Sequence, residues 1–189
     1  IDFDPGVSNF NLSASITYNV FILKLNSGGD FVWAKSFDSY SNVTFGSGGS
    51  VCSDQFGNLL VSGYLHGVMD FDPGPGTFYL TPFGFSCGFL AKLNSSGNFM
   101  WAKKISGNSY ASISSVIIDL SGNSYCTGVY SDTIDADPGN STYKLHSIGG
   151  SYDSFILKLD SAGNFIWAKS IGGPMDDLIH SIGIDSSLN

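Results

Sequence analysis

Three blocks of this sequence carry paired carboxylates followed by a turn: Asp2-Phe3-Asp4-Pro5-Gly6, Asp70-Phe71-Asp72-Pro73-Gly74 and Asp135-Ala136-Asp137-Pro138-Gly139. Residues two apart on a strand face the same side, and carboxylate oxygens suit a hard cation such as Ca²⁺. Asp2, Asp4, Asp70, Asp72, Asp135 and Asp137 are therefore the candidate metal ligands, and Ca²⁺ is the one cofactor that the sequence brings into question. The blocks lack the further Asp or Asn and the downstream Glu of an EF-hand, so backbone or another unit would have to complete the ligand shell. The same residues fit a structural job equally well, the second Asp fixing backbone N–H groups and Pro setting φ. Repetition of the block suits both readings.

Other chemistry is sparse. His66, His146 and His180 occupy unrelated places, and no zinc-protease, nucleophile-elbow or phosphate-loop pattern occurs. All sixteen acidic residues are Asp, so a glycosidase pair would have to be two Asp, and none stands apart from the repeated ones. No position breaks the repeat as a catalytic centre would, and the chain is expected not to be an enzyme. Cys52, Cys87 and Cys126 are odd in number and widely spaced, which fits neither a disulfide framework nor a zinc site. They read as small apolar strand residues. Asn-x-Ser/Thr occurs at Asn11, Asn42, Asn94 and Asn140, a weak signal in a chain rich in Ser and Asn.

The elements that must position these residues are turns and strands. Asp in place of Glu, together with 24 glycines, marks a turn-rich, helix-poor chain. A net charge of −8 without a single Arg argues against nucleic acid. No apolar run approaches the length needed to span a bilayer as a helix.

An internal period organises everything else. Phe21-Ile22-Leu23-Lys24-Leu25-Asn26 leading to Phe31-Val32-Trp33-Ala34-Lys35 recurs from Phe89 to Lys103 and from Phe155 to Lys169. Trp33, Trp101 and Trp167 are 68 and 66 residues apart, and the turn aspartates Asp54, Asp119 and Asp185 are 65 and 66 apart. Gly-Asn pairs between β-rich runs are hairpin signals. Strands such as Phe31-Val32-Trp33-Ala34 are apolar on both faces, which predicts sheets covered on both sides by stacked neighbours. The three Trp are then core residues between units rather than a sugar-stacking platform. Six of the eight lysines, Lys24, Lys92, Lys158, Lys35, Lys103 and Lys169, are repeat-equivalent and would lay their stems on apolar surface with the ammonium outward or paired with Asp.

Asp-Phe-Asp-Pro-Gly, Phe-x-x-Lys-Leu-Asn/Asp-Ser-x-Gly-Asn-Phe-x-Trp-Ala-Lys and Ile171-Gly172-Gly173 together resemble the SBBP-type β-propeller repeat of secreted and cell-surface proteins from Bacteroidota-like bacteria. The resemblance implies propeller blades and export, often ahead of a type IX sorting domain, and it implies no shared reaction. Asp132-Thr133-Ile134 and Asp160-Ser161-Ala162 resemble the short O-glycosylation motif of such exported proteins. Departures are Ala136 for an aromatic, Leu188 for the turn Gly, and Ser106-Gly107 for Gly-Gly.

The expected fold is all-β: tandem four-stranded propeller-type blades of 65 to 68 residues, in roughly three units. The division is one repeat-built domain over 1–189, with a partial unit at 1–45, units at 46–111 and 112–177, and the start of another at 178–189. Three units fall short of the four to eight blades of a closed propeller. A piece of a longer chain is the preferred account, with copies completing a ring or an open stack as alternatives. The expected function is a non-catalytic structural or adhesive module of a secreted or cell-surface protein. A glycan- or ligand-binding propeller and an accessory domain of a larger secreted enzyme are the alternatives. Partners would be a protein or glycan at the cell surface, or further copies of the same unit.

Overall fold

The structure is a computed structural model that describes residues 1–13, 19–40 and 45–185. The sequon at Asn42 and the turn from Ser186 to Asn189, with Leu188, lie outside the described residues. Fourteen strands and no helix occur among those described, and the strands form three antiparallel sheets. The middle sheet shows the plan. Strands β3 (Phe45–Ser53), β4 (Leu59–His66), β7 (Cys87–Leu93) and β8 (Phe99–Gly107) lie side by side in chain order. The third sheet repeats it with β9 (Ala111–Ile118), β10 (Ser124–Ser131), β13 (Tyr152–Leu159) and β14 (Phe165–Ile171). The first sheet holds the matching last two strands, β1 (Val20–Leu25) and β2 (Phe31–Ser39).

One turn design joins these strands. In the Asp54–Asn58, Asp119–Asn123 and Asp160–Asn164 turns, the Asp Oδ1 accepts backbone N–H groups two and four residues on, and the Asn side chain donates to Oδ2. The residue before each Asn is a glycine with φ between 76° and 83°, a left-handed position that glycine adopts without strain. Asn26 and Asn94 serve the same turn with an amide oxygen as the acceptor. The register shifts at Lys24/Leu25, Lys92/Leu93 and Lys158/Leu159, so even the β-bulge repeats.

The residues in excess of four strands are placed differently from the plain reading of the sequence. Thr142 to Leu145 reads locally as a strand of its own unit. Instead β11 (Thr133–Asp135) and β12 (Lys144–His146) form a hairpin that leaves its unit and pairs with β8 of the one before. The hairpin of β5 (Met69–Asp70) and β6 (Tyr79–Leu80) likewise pairs with β2. Each is a strap from one unit to its predecessor. The dockings match: Tyr40 N–H donates to Val68 O and Asn108 N–H to Thr133 O, both at 3.0 Å. A third hairpin is closed by the Asp2–Asn11 bridge and the Phe3 N–H to Phe10 O bond.

The core lies between sheets. Val20, Ile22 and Phe37 from the first sheet pack with Val61, Leu65, Phe89, Ala91 and Leu93 from the second. On the other side of the second sheet, Leu60, Leu90 and Ile105 meet Phe155, Leu157 and Leu159 of the third. β7 is accordingly buried along its whole length, as two covered faces require. The fourth strands depart from that expectation: Val32, Met100 and Ile166 are exposed in all three units, at the same strand position. Gly63 and Gly128 face the Phe89 and Phe155 rings across the sheet. A Cβ at either would stand 2.8 Å from the ring and 2.0 Å or less from a strand carbonyl, so neither position admits a side chain.

Candidate functional site

Two surfaces built from the repeated residues carry chemistry: the straps and the seams between units. In each strap the first Asp of the block closes its own loop. Asp2 Oδ1 accepts from Asp4 and Phe10 N–H, Asp70 Oδ1 from Asp72 and Phe78, and Asp135 Oδ1 from Asp137 and Tyr143, all within 2.7 to 3.1 Å. The second Asp of each block accepts from the glycine after the proline, at Gly6, Gly74 and Gly139. The Phe10 N–H, then the Asp4 N–H, hold the Asp2 carboxyl below its ordinary range. The six aspartates thus sit as three separate pairs, one per hairpin. Among the described residues no group of three or more His, Cys or Asp is gathered as metal ligands would be.

The seams explain the repeated Trp and Lys. Gly97 of one turn lies against the Trp33 indole of the preceding unit, and Gly163 lies against Trp101 in the same way. Lys24 Nζ donates to Ser95 O at 3.1 Å, and Lys92 Nζ donates to Ser161 O at 3.4 Å, again from one unit to the next. Lys92 is buried and also faces Asp54 Oδ2 at 3.8 Å. Burial alone would raise the Asp54 carboxyl. The Asn58 side chain, the Asn58 and Phe56 N–H groups and Lys92 outweigh it and leave the group lowered, as an ionised carboxylate. These lysines thus act as staples rather than as solvent-directed charges.

The remaining candidates are dispersed. His146 Nδ1 meets Thr133 Oγ1 at 3.0 Å, His66 lies on the Phe85 ring, and His180 is exposed. Burial pushes the Cys52 thiol up to about 11 and the Cys87 thiol to about 12, and raises Cys126 too, so none is a ready nucleophile. Asn94 spends its side-chain oxygen on Ser96 and Asn98 N–H, while Asn11 and Asn140 are exposed. Thr133 is hydrogen-bonded to Asp132 and His146, whereas Ser161 is exposed.

Repeat symmetry also breaks in side-chain chemistry at a place that the sequence reading passed over. A cleft of about 500 Å³ lies where the β11–β12 strap meets the β8 edge, lined by Phe83, Lys104, Asn108, Asp137, Thr142 and Lys144 among others. Lys104 stands where the other units carry Ser36 and Ser170, and Lys144 where they carry Asn11 and Tyr79. These are the two lysines outside the repeated set of six, which is the signal that could have found the cleft. Lys104 Nζ donates to Thr81 O, and Ser106 Oγ accepts from Phe83 N–H at 2.8 Å, fixing the wall opposite the strap. Beside the cleft Asp132 has φ 63°, the one non-glycine in the left-handed region among the described residues. Ser147 Oγ accepts its N–H at 2.9 Å and holds it there. Such outliers concentrate at functional surfaces. The arrangement offers ammonium, carboxylate and hydroxyl groups beside an exposed aromatic ring, which is a binding chemistry.

Comparison with known proteins adds one likeness. No family model matches the sequence. The chain is 25% identical to an uncharacterized WD repeat-containing protein of Acanthamoeba polyphaga mimivirus, over 97% of this chain and 16% of that protein's length. The likeness therefore concerns a repeat region, and with the all-β sheets above it supports a propeller-like repeat.

Proposed function

We propose that the chain is a β-propeller-type repeat module with a non-catalytic, structural and adhesive role in an exported protein. The observation that carries this reading is the seam. Both described contacts between units use the same Trp, Gly and Lys positions, and the first aspartate of each block spends an oxygen on holding its own loop. Export rests on the sequence resemblance to SBBP-type repeats. No helix among the described residues is long and apolar enough to cross a membrane, which leaves strand-built spans unaddressed. Repeat domains of this kind present loops and edges to protein partners. An antibody against the chain should label intact cells of the source organism. Labelling only after lysis would overturn the exported role.

A second reading has its own observation. The cleft with Lys104 and Lys144 is where two units depart from each other in chemistry, and a glycan is the ligand class that its mixed polar lining and exposed Phe83 fit best. Glycan-array binding that is lost in the Lys104→Ser/Lys144→Tyr double variant would establish it, since both replacements restore residues used elsewhere in the repeat. An array with no hits would remove it.

A further inference from the structure

The cleft under the second strap is lined by two ammonium groups, Lys104 and Lys144, that enter no ion pair among the described residues. Lys104 Nζ donates to Thr81 O, so a neutral carbonyl takes one of its protons and leaves its charge without a counterpart. Lys144 is exposed and stands across from Asp135 in the hairpin register without pairing with it. The carboxylates in the lining are turned to other work. Asp135 Oδ1 accepts the Asp137 and Tyr143 N–H groups, and Asp137 Oδ1 accepts the Gly139 N–H. Under the first strap the corresponding residues are Ser36 and Tyr79, so this pair of cations is particular to the second. Two cations left unpaired in a chain with sixteen Asp are free to meet an anion from outside.

The rest of the lining selects the kind of anion. The Phe83 ring is 80% exposed, while its backbone is fixed by the N–H it donates to Ser106 Oγ. A flat apolar face held at the rim of a polar cleft suits the C–H face of a sugar ring. Asn108 and Thr142 add an amide and a hydroxyl, groups that both donate and accept as sugar hydroxyls require. A peptide is served less well. The strap already pairs with β8 at Ser106 and Gly107, and Asn108 N–H donates to Thr133 O, so an extended peptide finds this edge taken. The net charge of −8 opposes a long polyanion, whereas one acidic group seated on the two lysines meets that field at a single point.

We propose that the cleft takes an acidic glycan, a short sugar whose ring lies on Phe83 and whose carboxylate or sulfate pairs with Lys104 and Lys144. The inference rests on the glycan reading of the cleft and adds the charge of the ligand. Phe83, Asn108 and Thr142 contact neutral and acidic sugars alike. The two lysines discriminate between them, because a neutral sugar of the same skeleton leaves both ammonium groups unanswered.

Matched probes on one array test it: lactose beside sialyllactose and sulfolactose, and cellobiose beside cellobiouronic acid. The acidic member of a pair should bind at least tenfold more tightly than its neutral partner, and added salt should erode the difference. Whether the carboxylate or the sulfate member binds identifies the anionic group. Lys104→Ser and Lys144→Tyr should each lower the preference about tenfold, with melts like that of the wild type. Should Lys104→Ser disturb the fold, Lys144→Tyr carries the test, because the Lys144 ammonium holds nothing among the described residues. Lys169→Gln removes an exposed charge outside the cleft and should leave the preference intact. Neutral and acidic members that bind equally well overturn the inference and leave the glycan reading standing, whereas an array without binding defeats both. A tetraglutamate peptide that binds as tightly as the best acidic sugar also overturns it, since the cleft would then read charge alone. So does a preference that falls equally in Lys169→Gln.

Discussion

The two straps follow one backbone path and finish it with different side chains. Where β5–β6 docks on β2, Tyr40 meets the Tyr79 ring edge-on at 5.4 Å and closes the surface. Where β11–β12 docks on β8, the counterparts are Asn108 and Lys144, and a cleft of about 500 Å³ remains. The comparison shows that the strap's course is set by its Asp-x-Asp-Pro-Gly loop and edge hydrogen bonds. Its outward side chains are thereby released to differ. A scaffold that separates path from lining in this way lets one unit acquire a binding surface without disturbing its neighbours.

The largest test of that separation is Gly107. A Cβ there would stand 1.9 Å from Thr133 O, so Gly107→Val should detach the second strap and cost about 3 kcal/mol or more, read by urea denaturation. Ser39 is its counterpart under the first strap, and Ser39→Ala should cost clearly less. Next comes the loop. Asp135→Ala removes the acceptor of two backbone N–H groups and should cost about 2 kcal/mol. Asp70→Ala should cost roughly 1 kcal/mol less, because the Tyr40–Tyr79 contact still holds that strap. Equal losses would mean that the aromatic closure is decorative.

A smaller effect separates the straps from the strand-joining turns. The Asn164 N–H, then its side-chain amide, hold the Asp160 carboxyl below its ordinary value. A lowered folded pKa contributes stability above the unfolded value, near 4, and that contribution is lost as pH falls through the folded value. Asp160→Asn imitates the Asn94 turn. It should cost about 1 kcal/mol at neutral pH, and the difference should shrink as the pH falls below the unfolded value. The smallest effect concerns calcium. With one oxygen of each strap aspartate already accepting backbone N–H groups, the melting temperature should be the same in EDTA and in millimolar Ca²⁺. A rise with calcium would assign the remaining oxygens to a cation by mass action.

Much of this was legible in the residues. Gly-Asn turns and the Trp period indicated antiparallel units packed face to face, because those signals act over a few residues or repeat outright. The run Phe31 to Ala34, read as covered on both faces, instead leaves Val32 exposed. The strap was not legible, because Asp70 to Leu80 encodes a hairpin but not the strand it will meet. The edge it meets belongs to another unit, and the Phe71 and Phe78 rings seat on β7 and β8 while the hairpin crosses to β2. The cleft stayed hidden for a related reason. Lys104 and Lys144 are 40 residues apart, and only the crossing brings them together. The metal-ligand pattern of the aspartates was visible, but their spacing could not tell a cation shell from a ring of backbone donors.

Because the first and second sheets each take their outermost strands from the unit that follows, the units are linked like overlapping tiles. Tension applied along the chain would load each strap across its junction before any sheet could peel apart. Cuts placed at the repeat boundaries would part a strap from the edge it docks on, so a lone excised unit should be far weaker than its share of the whole. For a tether exposed to flow or traction, resistance would therefore reside in the overlaps.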